Sequence, residues 1–150
     1  MRPLVIGIGN RWRSDDGIGV RTIDALEALG TRDADLLRLD GEPTRIVAAW
    51  AGRQCVVVID AIRTGVPPGT VHHLEVDQIP DVTSEASSHG GGVPAAVALG
   101  RALDALPDRI VVLGVEPASV DHGDELSPPV ASSLDVVVRR VVEEVTAACA

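Results

Sequence analysis

The sequence predicts an α/β protein: a single three-layer α/β/α domain over residues 1–150, with a mostly parallel, twisted sheet of about five strands and helices on both faces. Three observations lead to this prediction. The chain has 150 residues, which is the size of one domain. Short runs rich in Val, Ile and Leu alternate with longer segments of helical periodicity. Only 1% of the residues are aromatic, so an aliphatic core is expected.

The strands are predicted from apolar, β-branched runs bounded by turn residues. Such runs cover residues 4–8, 35–39, 55–59, 70–76 and 109–115. The run at 55–59 is the most apolar of these and is therefore expected at the centre of the sheet. The run at 70–76 alternates between apolar and polar residues, which favours a half-buried edge strand antiparallel to its neighbour.

Helices are predicted where apolar residues recur at helical spacing between Ser, Pro or Gly signals. The first helix is expected between the N-cap candidate Ser14 and the stop at Gly30. Three more are expected at 43–50, from Pro94 to about residue 106, and from Pro128 onwards. No internal repeat or linker interrupts this order, which is consistent with one domain.

The chain is strongly acidic, with 22 Asp and Glu residues against 13 Lys and Arg residues and a formal net charge of −9. Such a charge repels nucleic-acid backbones and anionic membrane surfaces, so neither is an expected partner. The sequence shows no signal peptide and no apolar run near the ~20 residues that a membrane helix needs. We therefore expect a cytoplasmic protein, with a monomer as the simplest state.

The first candidate site follows the first strand. Residues 7–10 (Gly-Ile-Gly-Asn) and 14–19 (Ser-Asp-Asp-Gly-Ile-Gly) form a strand–glycine–helix junction, which is typical of dinucleotide-binding domains. Here, however, Trp12 takes the place of the third glycine. Asp15 and Asp16 also put negative charge where a pyrophosphate would bind. The two carboxylates could simply cap the helix, or they could belong to a cation site.

Two further candidates are expected at the same edge of the sheet. Asp60 follows the most apolar run, and His89 lies in the polar, Gly-rich stretch 77–92, which is predicted to be a loop. Because the carboxyl ends of parallel strands form the ligand crevice, Asp16, Asp60 and His89 can converge there. Two carboxylates and an imidazole suit Ni, Zn, Co or Mn and leave a position open for water or substrate. The alternative is that Asp60 caps a turn and His89 is a solvated surface residue.

Other residue patterns give weaker evidence for a catalytic site. The chain contains no G-x-S-x-G nucleophile elbow and no H-E-x-x-H motif. His72 and His73 are adjacent on a predicted strand, so they face opposite sides and are expected to be structural. His122 is expected in a solvated loop that could approach the candidate site.

Several segments, in order along nearly the whole chain, match the motifs of one known family. They are residues 7–10, 15–19, 58–61 (Val-Ile-Asp-Ala), 65–71, 87–89 (Ser-Ser-His), 114–117 (Gly-Val-Glu-Pro) and 123–130. These segments resemble the hydrogenase maturation endopeptidases. The first motif, at residues 7–10 and 15–19, is quite specific to this family when it occurs together with Gly-x-x-Leu-Ser at 123–127.

The resemblance implies an aspartic-type endopeptidase with a phosphorylase/hydrolase-like fold. Its implied partner is the precursor of a nickel–iron hydrogenase large subunit, from which it removes a C-terminal extension after nickel insertion. Nickel carried by the substrate is the implied metal, and Zn or Cd could occupy the same site in vitro. The family's three metal-contacting positions fall on Asp16, Asp60 and His89, which are therefore the expected catalytic and metal-binding residues. Asp15 is a spare candidate for either role, because relatives can have Glu at the position of Asp16.

Two other functions stay open at this stage. A non-proteolytic, metal-sensing chaperone of the precursor would need the same cleft and the same ligands. A small-molecule α/β hydrolase or a nucleotide-binding domain is disfavoured by the missing nucleophile elbow and by the acidic start of the first helix.

Overall fold

The computed structural model describes residues 1–79 and 92–148, which form an α/β fold with a mixed five-stranded sheet. The elements are β1 (Leu4–Ile8), α1 (Ile18–Ala28), β2 (Asp35–Leu39), α2 (Pro43–Trp50), β3 (Cys55–Ala61), β4 (Val71–Glu75), α3 (Gly92–Ala102), β5 (Arg109–Val115) and α4 (Pro128–Ala148). The strands are ordered β2-β1-β3-β5-β4, and only β4 is antiparallel to its neighbour. The predicted fold class is confirmed, including the central position of β3 and the antiparallel edge strand.

Two aliphatic cores lie on the two faces of the sheet. Side chains of alternate strand residues pack against α1 and α4 on one face, and the remaining ones pack against α2 and α3 on the other. The strand β3 contributes to both cores, with Val57 and Ile59 on one face and Val56 and Val58 on the other. This burial on both faces explains why the run is almost continuously apolar. Trp50 is fully buried against α3 and is the largest side chain of its core.

Glycines bring α1 against the carboxyl ends of the two central strands. A Cβ on Gly7 would lie 2.2 Å from the carbonyl oxygen of Gly19. A Cβ on Gly19 would lie 2.4 Å from the carbonyl oxygen of Ile8 and 2.5 Å from that of Ile59. These distances leave no room for any side chain, so the glycines of the first motif serve helix–sheet packing. They place the start of α1 beside the ends of β1 and β3.

Two helix predictions are wrong in detail. Ser14 does not cap a helix: it takes a φ of 51° inside a short 3₁₀ turn, Ser14–Gly17, and its hydroxyl donates to the carbonyl of Asp121 at 2.8 Å. The helix expected to reach residue 106 ends at Ala102, because Asp104 adopts a φ of 51° and reverses the chain. Both differences arise where a local left-handed conformation interrupts an otherwise helical pattern.

Candidate active site

Three loops meet where the parallel strands have their carboxyl ends. We call this end of the sheet the carboxyl edge and the opposite end the amino edge. The three loops are named loop 1 (residues 9–17, after β1), loop 2 (62–70, after β3) and loop 3 (116–127, after β5). The three strands are parallel neighbours in the order β1-β3-β5, so their following loops leave the sheet at the same edge. Asp16 lies in loop 1, and Asp60 is the last residue but one of β3. The structure thus brings these two predicted site residues to the carboxyl ends of two adjacent strands.

Loop 1 holds Asp16 by backbone contacts. The Oδ2 atom of Asp16 accepts a hydrogen bond from the backbone N–H of Asn10 at 2.9 Å. The side chain of Asn10 in turn accepts from the backbone N–H of Trp12 at 2.9 Å. Gly9, with a φ of 136°, is required here because a Cβ would lie 1.8 Å from the carbonyl oxygen of Asp16. Asp16 is half-buried, whereas Trp12 is 62% exposed at the tip of the loop.

Among the acids at the carboxyl edge, Asp60 has the pKa that is shifted most from its ordinary value. Burial raises its pKa to about 8, and the negative charge of nearby Asp16 adds to the effect. A hydrogen bond of 2.8 Å from the N–H of Ala61 to Oδ1 opposes this shift without cancelling it. Asp60 therefore keeps a proton at neutral pH when no cation is bound. A carboxyl pair of this kind can hold or release a proton, or bind a cation through its oxygens.

The third predicted ligand, His89, lies outside the described residues. Within residues 1–79 and 92–148, no cluster of three or more His, Cys, Asp or Glu side chains could hold a metal. The Asp16–Asp60 pair supplies carboxyl oxygens, and a cation bound there would favour the ionised form of Asp60. The donors present therefore fit a cation, and the complete set with His89 stays a prediction.

Asp15 differs sharply from its neighbour in the chain. It is fully buried, and its carboxylate accepts four hydrogen bonds from loop 3. The donors are the backbone N–H groups of Ala118, Ser119 and Ser127 and the hydroxyl of Ser127, at 2.7 to 3.1 Å. Neither Asp15 nor Asp16 caps α1, so the helix-capping alternative is wrong. The spare catalytic role predicted for Asp15 stays a prediction, and its burial favours a structural role.

Glu116 is a buried acid that the sequence marks only by its place in a motif. It is 2% exposed, and its carboxylate accepts from the backbone N–H groups of Thr64 and Gly65 and from the Thr64 hydroxyl, at 2.8 to 3.0 Å. Burial acts to raise the pKa of Glu116, but these hydrogen bonds outweigh it and hold the pKa below its usual value. The signal in the sequence was an acid directly after the apolar run 110–115 of β5.

The remaining histidines do not join the pair. His72 Nε2 lies 3.5 Å from Glu116 Oε2, whereas His73 Nε2 lies 3.3 Å from Glu75 Oε1. The two rings thus contact different groups, as expected for neighbours on a strand. His122 is exposed in loop 3, as predicted.

Among the described helices, none combines the length and the apolar character that a membrane span requires.

Comparisons with known proteins identify the family of this chain. The family model described as hydrogenase maturation protease matches residues 20–144. The hydrogenase expression/formation protein HupD of Thiocapsa roseopersicina is 31% identical over 145 residues, covering 93% of this chain and 66% of that relative. The chain therefore spans just under two thirds of that relative's length. The hydrogenase 2 maturation protease of Escherichia coli is 29% identical over 146 residues, covering 95% of this chain and 89% of that protein.

Solved structures show the same fold. The hydrogenase maturating endopeptidase HybD from E. coli superposes with a TM-score of 0.82 and 26% identity, over 99% of this chain and 94% of that one. A solution structure of an endopeptidase from Escherichia coli gives a TM-score of 0.88 at 26% identity with the same coverage. The match extends over almost the entire chain and includes all the elements described above. The chain belongs to the hydrogenase maturation protease family, a family of peptidase-type enzymes.

Proposed function

We propose that this protein is an endopeptidase that removes the C-terminal extension of a nickel–iron hydrogenase large-subunit precursor after nickel has been inserted. The observation that carries this proposal is the pair of neighbouring carboxylates, Asp16 and Asp60, in a member of this protease family. The family supports the reaction class. The carboxylate pair supplies oxygen ligands for a cation that the substrate carries.

Nickel held by the precursor is the feature that this site would recognise. Asp60 is protonated at neutral pH, because burial and Asp16 raise its pKa to about 8. A divalent cation favours the ionised carboxylate, so arrival of the nickel-bearing segment releases this proton. In this proposal His89 makes the third contact. A precursor without nickel encounters a protonated Asp60 and gains little binding free energy from the site.

Water is the proposed nucleophile, because the sequence has no Ser or Cys nucleophile motif. Seating the metal-bearing segment between loops 1 and 2 brings the scissile peptide into the cleft and converts hydrolysis into a reaction within one complex. A carboxylate at this edge can take the proton of the attacking water. In this proposal the enzyme works as a monomer in the cytoplasm.

The test is the intact mass of a nickel-loaded large-subunit precursor before and after incubation with this protein. Nickel-free precursor and the Asp16→Asn variant run alongside. Asp35→Asn is the matched control, because it makes the same chemical change at the start of β2, at the opposite edge of the sheet. We expect loss of one defined C-terminal peptide with wild type and with Asp35→Asn, and only from nickel-loaded precursor.

The other outcomes separate the alternatives. Stable complex formation with no change in mass would favour a metal-sensing chaperone that does not cut. Processing of nickel-free precursor at the same rate would contradict nickel recognition while leaving the protease activity in place. Full activity of Asp16→Asn would contradict the assignment of the site.

A further inference from the structure

Two buried carboxylates join the three loops of the candidate site. Asp15, in loop 1, accepts four hydrogen bonds from loop 3. Glu116, at the start of loop 3, accepts its hydrogen bonds from Thr64 and Gly65 of loop 2. Loop 3 is therefore tied to loop 2 at its first residue and to loop 1 both near its start and at its last residue. Both carboxylates are almost completely removed from solvent.

The backbone strengthens the connection between loops 1 and 3. The N–H of Asp15 donates to the carbonyl of Ser119 at 3.0 Å, and the N–H of Ser14 donates to that of Gly123 at 2.9 Å. Gly123 returns a hydrogen bond of 3.0 Å to the carbonyl of Trp12. The segment that precedes Asp16 is thus held to loop 3 at Trp12, Ser14 and Asp15.

Loop 2 is held to loop 3 in a similar way. The N–H of Gly69 donates to the carbonyl of Glu116 at 2.8 Å, and the N–H of Glu116 donates to the carbonyl of Thr70 at 2.9 Å. Thr64, whose N–H and hydroxyl both bind the Glu116 carboxylate, lies four residues beyond Asp60. The position of this turn therefore determines how the chain leaves Asp60.

We propose that Asp15 and Glu116 are positioning residues that together set the separation and orientation of the Asp16 and Asp60 carboxylates. The inference rests on the proposed function of that pair. Asp15 is the chain neighbour of Asp16, and Glu116 anchors the turn that follows Asp60. A rigid loop 3 between them fixes one carboxylate relative to the other. Charge-assisted hydrogen bonds to buried carboxylates are stronger than neutral ones and suit this task.

The chemistry of the partners requires a carboxylate at both positions. Every hydrogen-bonding partner given above for the two side chains is a donor, either a backbone N–H or a hydroxyl. An amide of the same shape would turn its NH₂ group toward at least one of these donors. Asp15→Asn and Glu116→Gln therefore each remove at least one of these hydrogen bonds with almost no change in side-chain volume.

The experiment measures kcat and KM for processing of the nickel-loaded precursor, per folded molecule, at a temperature where circular dichroism shows both variants folded. We expect kcat to fall by about tenfold or more in each variant, since small displacements of reacting groups are costly. KM should stay within about twofold, because the ties lie beneath the surface that the precursor touches. Asp35→Asn serves as the control and should match wild type in both constants.

A second readout needs no substrate. The N–H of Asn10 binds Asp16, and the N–H of Ala61 binds Asp60, so their amide NMR signals report where the two carboxylates lie. We expect Asp15→Asn to shift the Asn10 signal and Glu116→Gln to shift the Ala61 signal. Asp35→Asn should shift neither of them. A role limited to overall stability would leave both signals of the folded variants in place.

The outcomes separate this inference from the proposed function. Folded variants with wild-type kcat would overturn it, even if amide signals moved. If wild type itself leaves every precursor intact, the proposed function fails, and the two amide signals alone then decide about positioning. Should either amide variant fail to fold, Ser127→Ala and Thr64→Val each remove one hydroxyl donor from the same carboxylates. These milder variants should lower kcat about threefold, and an unchanged kcat would contradict the inference.

Discussion

Asp35 at the amino edge of the sheet and Asp60 at the carboxyl edge have pKa values that are shifted in opposite directions. At the amino edge, Asp35 at the start of β2 pairs with Arg53 at 2.7 Å and with Arg2 at 3.3 Å. The hydrogen bond from Arg53 holds the pKa of Asp35 below its usual value. At the carboxyl edge, burial and the like charge of Asp16 raise the pKa of Asp60 to about 8.

This difference shows where the fold keeps its reactive groups. Exposed ion pairs such as those of Asp35 contribute little to stability and are screened by salt. Crowded, half-buried carboxylates cost stability, and such groups are found mainly where a protein needs a ligand or a proton transfer. The raised pKa of Asp60 costs stability at neutral pH, because the folded protein must keep a proton that the unfolded chain would release. This raised pKa is the strongest electrostatic argument for a functional site at the carboxyl edge.

The largest expected effect comes from removing one member of the pair. Asp60→Asn should lower the rate of precursor processing at least about a hundredfold, because the amide cannot become an anionic ligand or accept a proton. Asp35→Asn makes the same chemical change at the other edge and should leave the rate unchanged. Intact-mass time courses with both variants measure the contrast. Equal rates for the two variants would remove the functional distinction between the edges.

The next effect concerns the packing that builds the carboxyl edge. A Cβ on Gly19 would lie within 2.5 Å of the backbone carbonyls of Ile8 and Ile59, which cannot move without disturbing the sheet. Gly19→Ala should therefore lower the free energy of unfolding by about 3 kcal/mol. Gly30→Ala tests the turn just after the same helix, where a Cβ meets no atom within 4 Å, although the φ of 73° brings some strain. Chemical denaturation of both variants should rank Gly19→Ala as the more damaging.

A smaller effect is expected in the pH dependence of stability. The pKa of Asp60 is about 8 in the folded protein and near 4 when unfolded, so the folded state holds a proton that the unfolded state lacks between these values. The free energy of unfolding should therefore decrease as the pH rises from 5 to 8, by roughly 2 kcal/mol after allowing for partial solvation. Above the folded pKa this contribution no longer changes.

Denaturation of wild type and Asp60→Asn at a series of pH values checks this sign. Asp60→Asn should lose most of the decrease and should be the more stable of the two at pH 8. The carboxyls with lowered pKa values, such as those of Asp35 and Glu116, titrate below this window and do not contribute to the slope. A wild-type curve parallel to that of the variant would contradict the raised pKa.

The smallest effect on stability is expected from Asp35→Asn at the amino edge. Removing the carboxylate of Asp35 leaves Arg2 exposed to water, and it leaves Arg53 partly exposed and still bonded to the backbone carbonyl of Arg2. The unfolding midpoint of Asp35→Asn should therefore match that of wild type within experimental error in 0.15 M salt. Differential scanning calorimetry is sufficient for this comparison. A clear loss of stability would show that the amino edge also depends on its charges.

Most of the fold could be predicted from the sequence because it depends on local pattern. Apolar β-branched runs determine the strands, and the alternation in β4 distinguished the edge strand from the buried ones. The end of α3 could not be predicted, since the positive φ of Asp104 leaves no mark in the periodicity. Of the site, Asp16 and Asp60 could be placed at one edge because strand ends in a parallel sheet converge.

The distinction between Asp15 and Asp16 could not be made from the sequence. Two adjacent acids look equivalent there, and which one turns inward depends on Ser127 and its neighbours, more than a hundred positions away. Glu116 was missed for the same reason, because its partners lie about fifty positions earlier. Contacts of this range depend on the assembled sheet rather than on any local pattern.

The distribution of the two tryptophans gives this protein a built-in optical probe. With no Tyr and no Phe in the chain, its near-ultraviolet emission comes from Trp12 and Trp50 alone. Trp50 has no exposed surface, whereas Trp12 is 62% exposed on the loop that carries Asp16. The two indoles should therefore emit at different wavelengths, blue-shifted for the one in the core and red-shifted for the one at the rim. The emission of Trp12 should change when a partner docks on the loop that carries Asp16. The emission of Trp50 should change only when the protein unfolds.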